Sequence, residues 1–300
     1  MSNDTPPYQD FSARFIIDTL PVHGRVVRLG DSLNTILSAH NYPDEIAHLV
    51  SEACALAVLV GSALKFEGRL IMQAQGEGCV RYVVADYDTR GGLRAFCRYD
   101  EDELKELIAA NATEFTSLGA RALIGKGTFI MTLDPDGQMD RYQGVTPIEG
   151  DSLSLCAEHY FAQSEQIPTQ IKLAVSREDS GDGPVWRAGG AMIQAIAGDL
   201  SRGETREAFD HIRALFATLG EDELTDFSLE TERLLYRLFH EDGVRLSTFK
   251  EVYQQCRCSQ ERVESLVQSF SPEEQNDMIE PDGKVHITCE YCSKTYFISL

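Results

Sequence analysis

The sequence predicts an α+β fold in three parts. An N-terminal domain of antiparallel sheets with helices is expected over residues 1–198, an amphipathic helical linker over 199–250, and a small C-terminal domain over 251–300. Three observations carry this. Strand-like and helix-like segments interleave too irregularly for regular βαβ units. After about residue 198 the pattern becomes helical and amphipathic. The last stretch is short, dense in turn signals, and holds four of the eight cysteines.

The first domain takes its elements from period and punctuation. Residues 12–30 read as strands around the turn Pro21 to Gly24. Residues 44–64 read as a buried helix, with Ile46, Leu49, Val50, Ala53 and Ala57 at helical spacing. Leu70 to Gln73 and Arg81 to Ala85 are strands divided by Gln75-Gly76-Glu77-Gly78, and Asp100 to Ala110 is an acidic amphipathic helix. Asp134-Pro135-Asp136-Gly137 is a hairpin turn between Gly127–Leu133 and Asp140–Val145. Residues 151–163 are helical and Ile171 to Val175 is a strand. Trp186 to Ile196 is a strand or bend in which Ala188-Gly189-Gly190 permits close backbone approach.

The linker is expected as two helices. Gly203 to Leu219 aligns Phe209, Ile212, Leu215, Phe216 and Leu219, with Gly220 as C-cap. Residues 221–242 align Leu234, Leu235, Leu238 and Phe239 and end at Asp242-Gly243. In the tail, Ser259 caps a helix carrying Val263, Leu266, Val267 and Phe270. Ser271-Pro272-Glu273-Glu274 is a capping box with Pro at the first helical position. After the turn Pro281-Asp282-Gly283, Val285 and Ile287, then Tyr296 and Ile298, alternate as two short strands.

Composition limits the partners. A net charge of −21 opposes binding to nucleic acid or to an anionic membrane. The first ten residues lack the basic and apolar regions of a signal peptide. The longest apolar run, Ala53 to Leu64, falls short of the about 20 residues needed to span a bilayer. A soluble cytosolic protein is expected, and there paired cysteines read as metal or redox sites.

Those pairs are Cys256-Arg257-Cys258 and, 30 residues on, Cys289-Glu290-Tyr291-Cys292, the second at a hairpin tip resembling a zinc knuckle. Four sulfurs in two close pairs suit one tetrahedral Zn²⁺. About 50 residues assemble little core, so a metal staple is expected. Zinc in such small domains is worth on the order of 10–16 kcal/mol of apparent folding free energy. Metal-bound sulfurs are thiolates, the form that peroxide or hypochlorous acid attacks. Two readings stand here: an inert structural clamp, or a clamp that opens on oxidation. Cys54, Cys79, Cys97 and Cys156 have no partner at metal spacing, and Cys54 reads as a core residue. The histidines form no paired motif, and His286 is outweighed as a ligand by the four sulfurs. Gly125-Lys126-Gly127-Thr128 lacks the spacing of a phosphate loop.

The chain resembles the bacterial redox-regulated holdase chaperones, the 33 kDa chaperonin or HslO family. The resemblance is carried by Tyr160 to Thr169 (YFAQSEQIPT), Ala188-Gly189-Gly190, Leu234 to Glu241 (LLYRLFHE), Cys256-Arg257-Cys258-Ser259 and Cys289-Glu290-Tyr291-Cys292. It implies an ATP-independent chaperone, not an enzyme, inactive as a reduced monomer holding one Zn²⁺. It further implies that oxidants, often with heat, form Cys256–Cys258 and Cys289–Cys292 disulfides and expel the metal. The tail and linker then unfold, the protein dimerises, and it holds unfolding clients for later transfer to foldase chaperones. Gln260 stands where the family usually has Arg, which bears on thiolate reactivity. With this in view, Phe209, Phe216, Leu235 and Phe239 are the candidate client or dimer surface. The alternatives are a thiol-disulfide oxidoreductase using Cys289 and Cys292, which needs the pair at a helix N-terminus, and a zinc-ribbon nucleic-acid module, which needs basic faces.

Overall fold

The computed structural model describes residues 9–111, 118–137, 139–181, 183–196 and 205–300. In chain order the first domain runs β1 (Phe11–Ile17), β2 (Val22–Leu29), α1 (Asp31–Ser38), α2 (Asp44–Gly61), β3 (Gly68–Gly76), β4 (Val80–Asp88), β5 (Gly92–Tyr99), α3 (Glu101–Ala110), α4 (Ala120–Ile124), β6 (Gly127–Pro135), β7 (Tyr142–Pro147), α5 (Leu153–Tyr160), a π-turn over Phe161–Glu165, β8 (Thr169–Ser180) and β9 (Gly183–Ala195). Then come α6 (Thr205–Ala217), α7 (Glu221–Thr225), α8 (Thr231–Phe239), β10 (Val244–Leu246), β11 (Lys250–Glu251) and β12 (Tyr253–Gln254). The tail holds α9 (Gln260–Gln268), α10 (Pro272–Asp277), β13 (Val285–Thr288) and β14 (Thr295–Ile298).

The expected α+β architecture is present. One sheet has the order β10-β1-β2-β9-β8, with β11 also on β1; the second runs β12-β5-β4-β3-β6-β7. Every named pairing is antiparallel except β12 on β5. Helix α2 packs against strands of both sheets, including β4 and β9. It is apolar nearly all round, as a helix in the middle of a core must be. Cys54 lies within it, fully buried, and Cys79, Cys97 and Cys156 are buried too.

The linker docks on the first sheet. Phe209, Ile212, Phe216, Leu219, Leu224, Leu234, Leu235, Leu238 and Phe239 share one cluster with Phe15, Ile17, Val22, Ala191 and Ile193. Phe239 stacks on Phe15 with centroids 5.7 Å apart. At Gly189 a Cβ would lie 2.2 Å from the Leu224 carbonyl oxygen, so the close approach expected of the Gly-Gly pair is where α7 rests on β9.

One expectation changes. The helix over 221–242 is broken into α7 and α8. Asp226 accepts from the Ser228 N–H at 2.8 Å and hydroxyl at 2.6 Å, an Asx turn that competes with the helix. Phe227 is drawn between the guanidinium groups of Arg28 and Arg187, 5.5 and 5.3 Å from its centroid. The start expected at Gly203 and the domain boundary at 198 lie outside the described residues. The boundary expected at 250/251 falls inside β11, and the chain from β10 to β12 passes from the edge of one sheet to the edge of the other.

Replacing Phe239 by Ala is expected to lower unfolding free energy by about 3–5 kcal/mol, the cost of a buried aromatic cavity. Tyr236→Ala, on a residue of α8 that is 64% exposed, is expected to cost less than about 0.5 kcal/mol. Urea unfolding of both variants checks the contrast.

Candidate metal centre

Two chain segments bring the four C-terminal cysteines together. Cys256 and Cys258 follow β12, whose register on β5 is extended by the Gln255 N–H donating to the Leu93 carbonyl at 2.8 Å. Cys289 and Cys292 lie in the loop between β13 and β14. There the Cys289 N–H donates to the Lys294 carbonyl at 3.0 Å and the Ser293 N–H to the Cys289 carbonyl at 2.8 Å. Hairpin pairs from Val285 opposite Ile298 to Thr288 opposite Thr295 place that loop, so the expected hairpin tip is found.

The four sulfurs lie within 4.8 Å of one another. Cys256 and Cys258 are 3.2 Å apart, Cys258 and Cys292 3.4 Å, and Cys256 and Cys289 3.6 Å. A tetrahedral site with Zn–S of about 2.3 Å spaces its sulfurs about 3.8 Å apart. The cluster therefore has nearly the right size, and its soft thiolate set suits zinc. Among the described residues no other cluster of three or more His, Cys, Asp or Glu side chains is placed to hold a metal ion. His286 turns away, its Nε2 2.9 Å from Asp282 Oδ2.

The sulfurs are half-buried and share protons unevenly. Burial pushes Cys256 up, and Cys292 up to about 12. At Cys258 burial opposes charge, yet the Tyr296 hydroxyl, donating at 3.0 Å, and the neighbouring thiols pull it down to about 7. Cys258 therefore carries charge more readily than Cys256 or Cys292. Gln260 hydrogen-bonds to Glu264 at 2.8 Å and to the Phe297 carbonyl at 3.3 Å.

The tail's own core is small: Val263, Val267, Val285, Tyr296 and Ile298. Its two helices are capped as expected. Ser259 accepts from the Arg262 N–H, and Ser271 and Glu274 form the capping box.

The residues between the cysteines reach the second sheet. Arg257 meets Asp86 and Asp88 of β4, and Tyr291 meets Arg94 and Phe96 of β5. The sequence does not announce this seat: the strand expected over Arg81 to Ala85 continues to Asp88, and β5 is a strand that local pattern does not predict. Two aspartates spaced by two on a strand, facing an Arg pair, were its one signal.

The candidate client residues Phe209, Phe216, Leu235 and Phe239 are all buried against the first sheet. Tyr160 to Thr169 forms the turn of chain between α5 and β8. Gln166, Ile167, Pro168 and Thr169 line a cavity of about 480 Å³ together with Phe209 and Arg213.

Residues 10–299 match the profile of the Hsp33 protein family. A 33 kDa chaperonin of Caulobacter vibrioides is 58% identical over 293 residues, covering 98% of this chain and 96% of that protein. A 33 kDa chaperonin of Shewanella sediminis is 36% identical over 283 residues, covering 94% and 90%. The fold is similar to the crystal structure of a 33 kDa chaperonin, a heat shock protein 33 homologue, from Thermotoga maritima. The TM-score is 0.76 at 21% identity, covering 96% of this chain and 94% of that one.

Cobalt(II) titration of the reduced protein is expected to give tetrahedral thiolate bands saturating at one equivalent. Serine at any of the four positions is expected to weaken metal binding by at least about tenfold. Unchanged bands in Cys258→Ser would remove that residue from the ligand set.

Proposed function

The chain belongs to the Hsp33 chaperone family, and from that premise we propose that it is a redox-regulated, ATP-independent holdase, with Cys256, Cys258, Cys289 and Cys292 as both metal ligands and oxidant sensor. The sulfur cluster is the observation that carries this reading. Residues 1–198, 199–250 and 251–300 act as core body, linker and switch. Zinc, when bound, holds the four sulfurs as thiolates and closes the tail around its five-residue core.

The chemistry of the switch is sulfur chemistry. A thiolate attacks one oxygen of peroxide, the O–O bond breaks, and hydroxide leaves with a sulfenic acid formed. A second thiolate displaces the sulfenic hydroxyl, giving a disulfide and hydroxide, which takes a proton from solvent to become water. Each disulfide consumes one peroxide and gives up two electrons, so two peroxides oxidise the set. In the closed cluster the Cys258–Cys292 approach rivals Cys256–Cys258, so proximity alone does not choose partners. Once the tail opens, the shortest loops close most readily, which favours Cys256–Cys258 and Cys289–Cys292.

Oxidised sulfurs no longer coordinate a metal, and the five-residue core is too small to hold the tail closed. The linker then loses the module that follows it. Phe209, Phe216, Leu235 and Phe239 become available to unfolding clients or to a second copy, and clients pass to foldase chaperones after reduction. A charge of −21 keeps such complexes in solution. The competing oxidoreductase reading asks for Cys289 at a helix N-terminus, whereas the pair sits between two strands. No helix among the described residues is long and apolar enough to cross a membrane.

Peroxide with mild heat is expected to release one zinc and four thiols per chain, raise binding of a hydrophobic dye, and suppress aggregation of a denatured client. A Cys289→Ser, Cys292→Ser variant is expected to be partly active without oxidant or unable to switch. If it still required oxidant to become active, the metal-lock reading would be lost.

A further inference from the structure

The outward face of β4 and β5 is a seat that the tail completes. Asp86 and Asp88 share a face of β4, and Asp86 pairs across the sheet with Arg94 of β5, two residues before Phe96. The opposite face of these strands, Val83, Ala85, Tyr87 and Ala95, belongs to the main core. Asp86, Asp88 and Phe96 are nevertheless buried as well. Arg69, Arg90 and Tyr82 cover part of them, and the rest of the cover comes from within the cysteine motifs. Arg257, between Cys256 and Cys258, sets its guanidinium 3.1 Å from Asp88 Oδ2 and 3.6 Å from Asp86 Oδ1. Tyr291, between Cys289 and Cys292, stacks under the Arg94 guanidinium at 4.0 Å and meets Phe96 edge-on at 4.6 Å. Arg94 itself holds Asp86 Oδ2 at 2.6 Å. Asp86 Oδ1 is buried with no hydrogen-bond partner among the described residues, and its ion pair is with Arg257.

We propose that Arg257 and Tyr291 are positioning residues of a latch, through which the state of the four sulfurs is passed to the linker. Each is pinned by cysteines on both sides. A closed cluster holds both on the seat, and an opened one releases both. The residues just before Cys256 are tied to the same strand: the Tyr253 N–H donates to the Gly91 carbonyl at 3.0 Å and the Gln255 N–H to Leu93 at 2.8 Å. Directly upstream lie β11 and β10, which pair with β1 and end the linker. Leaving the seat therefore loosens the edge strands first and the docked helices next. What opens the cluster rests on the switch reading above; the latch is a property of the reduced form.

Hydrogen exchange on the reduced, zinc-loaded full chain tests it. Asp88→Asn keeps an oxygen to accept from the Arg90 backbone N–H, now at 2.9 Å, but loses the charge facing the guanidinium groups of Arg257 and Arg90, so Phe96→Ala, which touches neither, is its control. Arg257→Gln removes the other partner, and Phe96→Ala removes the floor under Tyr291. Exchange over residues 244–255 and in α6 to α8 is expected to quicken roughly tenfold in each, the scale of one charge-assisted hydrogen bond or ring contact. Zinc content and thiol count are expected to match the unaltered chain. The Asp88→Asn, Arg257→Gln pair is expected to be no faster than the faster single variant. Should Arg257→Gln lower zinc occupancy, the comparison rests on Asp88→Asn and Phe96→Ala, which lie outside the cysteine motifs. Exchange within about twofold of the unaltered chain in both of these would overturn the latch. That result in a protein which still switches on with peroxide would leave the switch standing; quickened exchange in a protein that never switches would leave the latch and end the switch.

Discussion

A five-residue apolar core cannot by itself close a 45-residue module, and the organisation of this chain follows from that shortage. Val263 and Val267 of one helix meet Val285, Tyr296 and Ile298 of one hairpin, and little else is buried there. So little apolar burial does not by itself offset the entropy of ordering the module, and a cross-link is needed. Four sulfurs drawn from both ends of the module supply the place for one, and a metal there is worth on the order of 10–16 kcal/mol. A module whose folding hangs on one ligand set can be unfolded by altering that set, whereas the first domain, built around α2, has no comparable single point of failure.

The linker is the intermediate case. Its helices bury a continuous apolar stripe on the first sheet, so they have a docking energy of their own. Loss of the tail alone need not detach them at once. On the proposed reading this gives two thresholds, one chemical at the sulfurs and one thermal at the linker. Heat acts on the second, because conformational entropy grows in weight with temperature while the stripe's burial does not grow to match.

Much of this was legible in the sequence. The cysteine spacing gave the cluster, the Ser259 and Ser271 caps gave the tail helices, and Gly189 gave the place of closest approach, since each is a local signal with a local cause. The hairpin tip at Cys289 to Cys292 followed from period-two alternation on either side of it. What escaped was tertiary. Periodicity over 221–242 says helix, and only the Asp226 turn together with the capture of Phe227 between Arg28 and Arg187 explains the break. The strand β5 mixes Leu93, Ala95 and Cys97 on its core face with Arg94, Phe96 and Arg98 on the other. A strand whose outer face is charged and aromatic, yet covered by a distant module, has no signature until the module is in place. Nor could the sequence reveal that Arg257, set between two cysteines, spends its guanidinium on two aspartates 169 and more residues away.

That choice of partner bears on how the tail is held. Buried ion pairs return little net stability, because desolvation cancels most of the Coulomb gain, but breaking one side of such a pair is costly. Asp86 is fully buried with one oxygen served by Arg94 and the other facing Arg257. The seat therefore adds little to the depth of the closed state and much to its uniqueness: one orientation of the tail satisfies Asp86, and sliding or partial detachment leaves a charge stranded. On the proposed reading a bound metal supplies the strength of the closed form and the aspartates its register. Under that reading the same division favours reversibility, since a seat preformed on a stable sheet would be ready for the tail to refold onto it once the sulfurs are reduced.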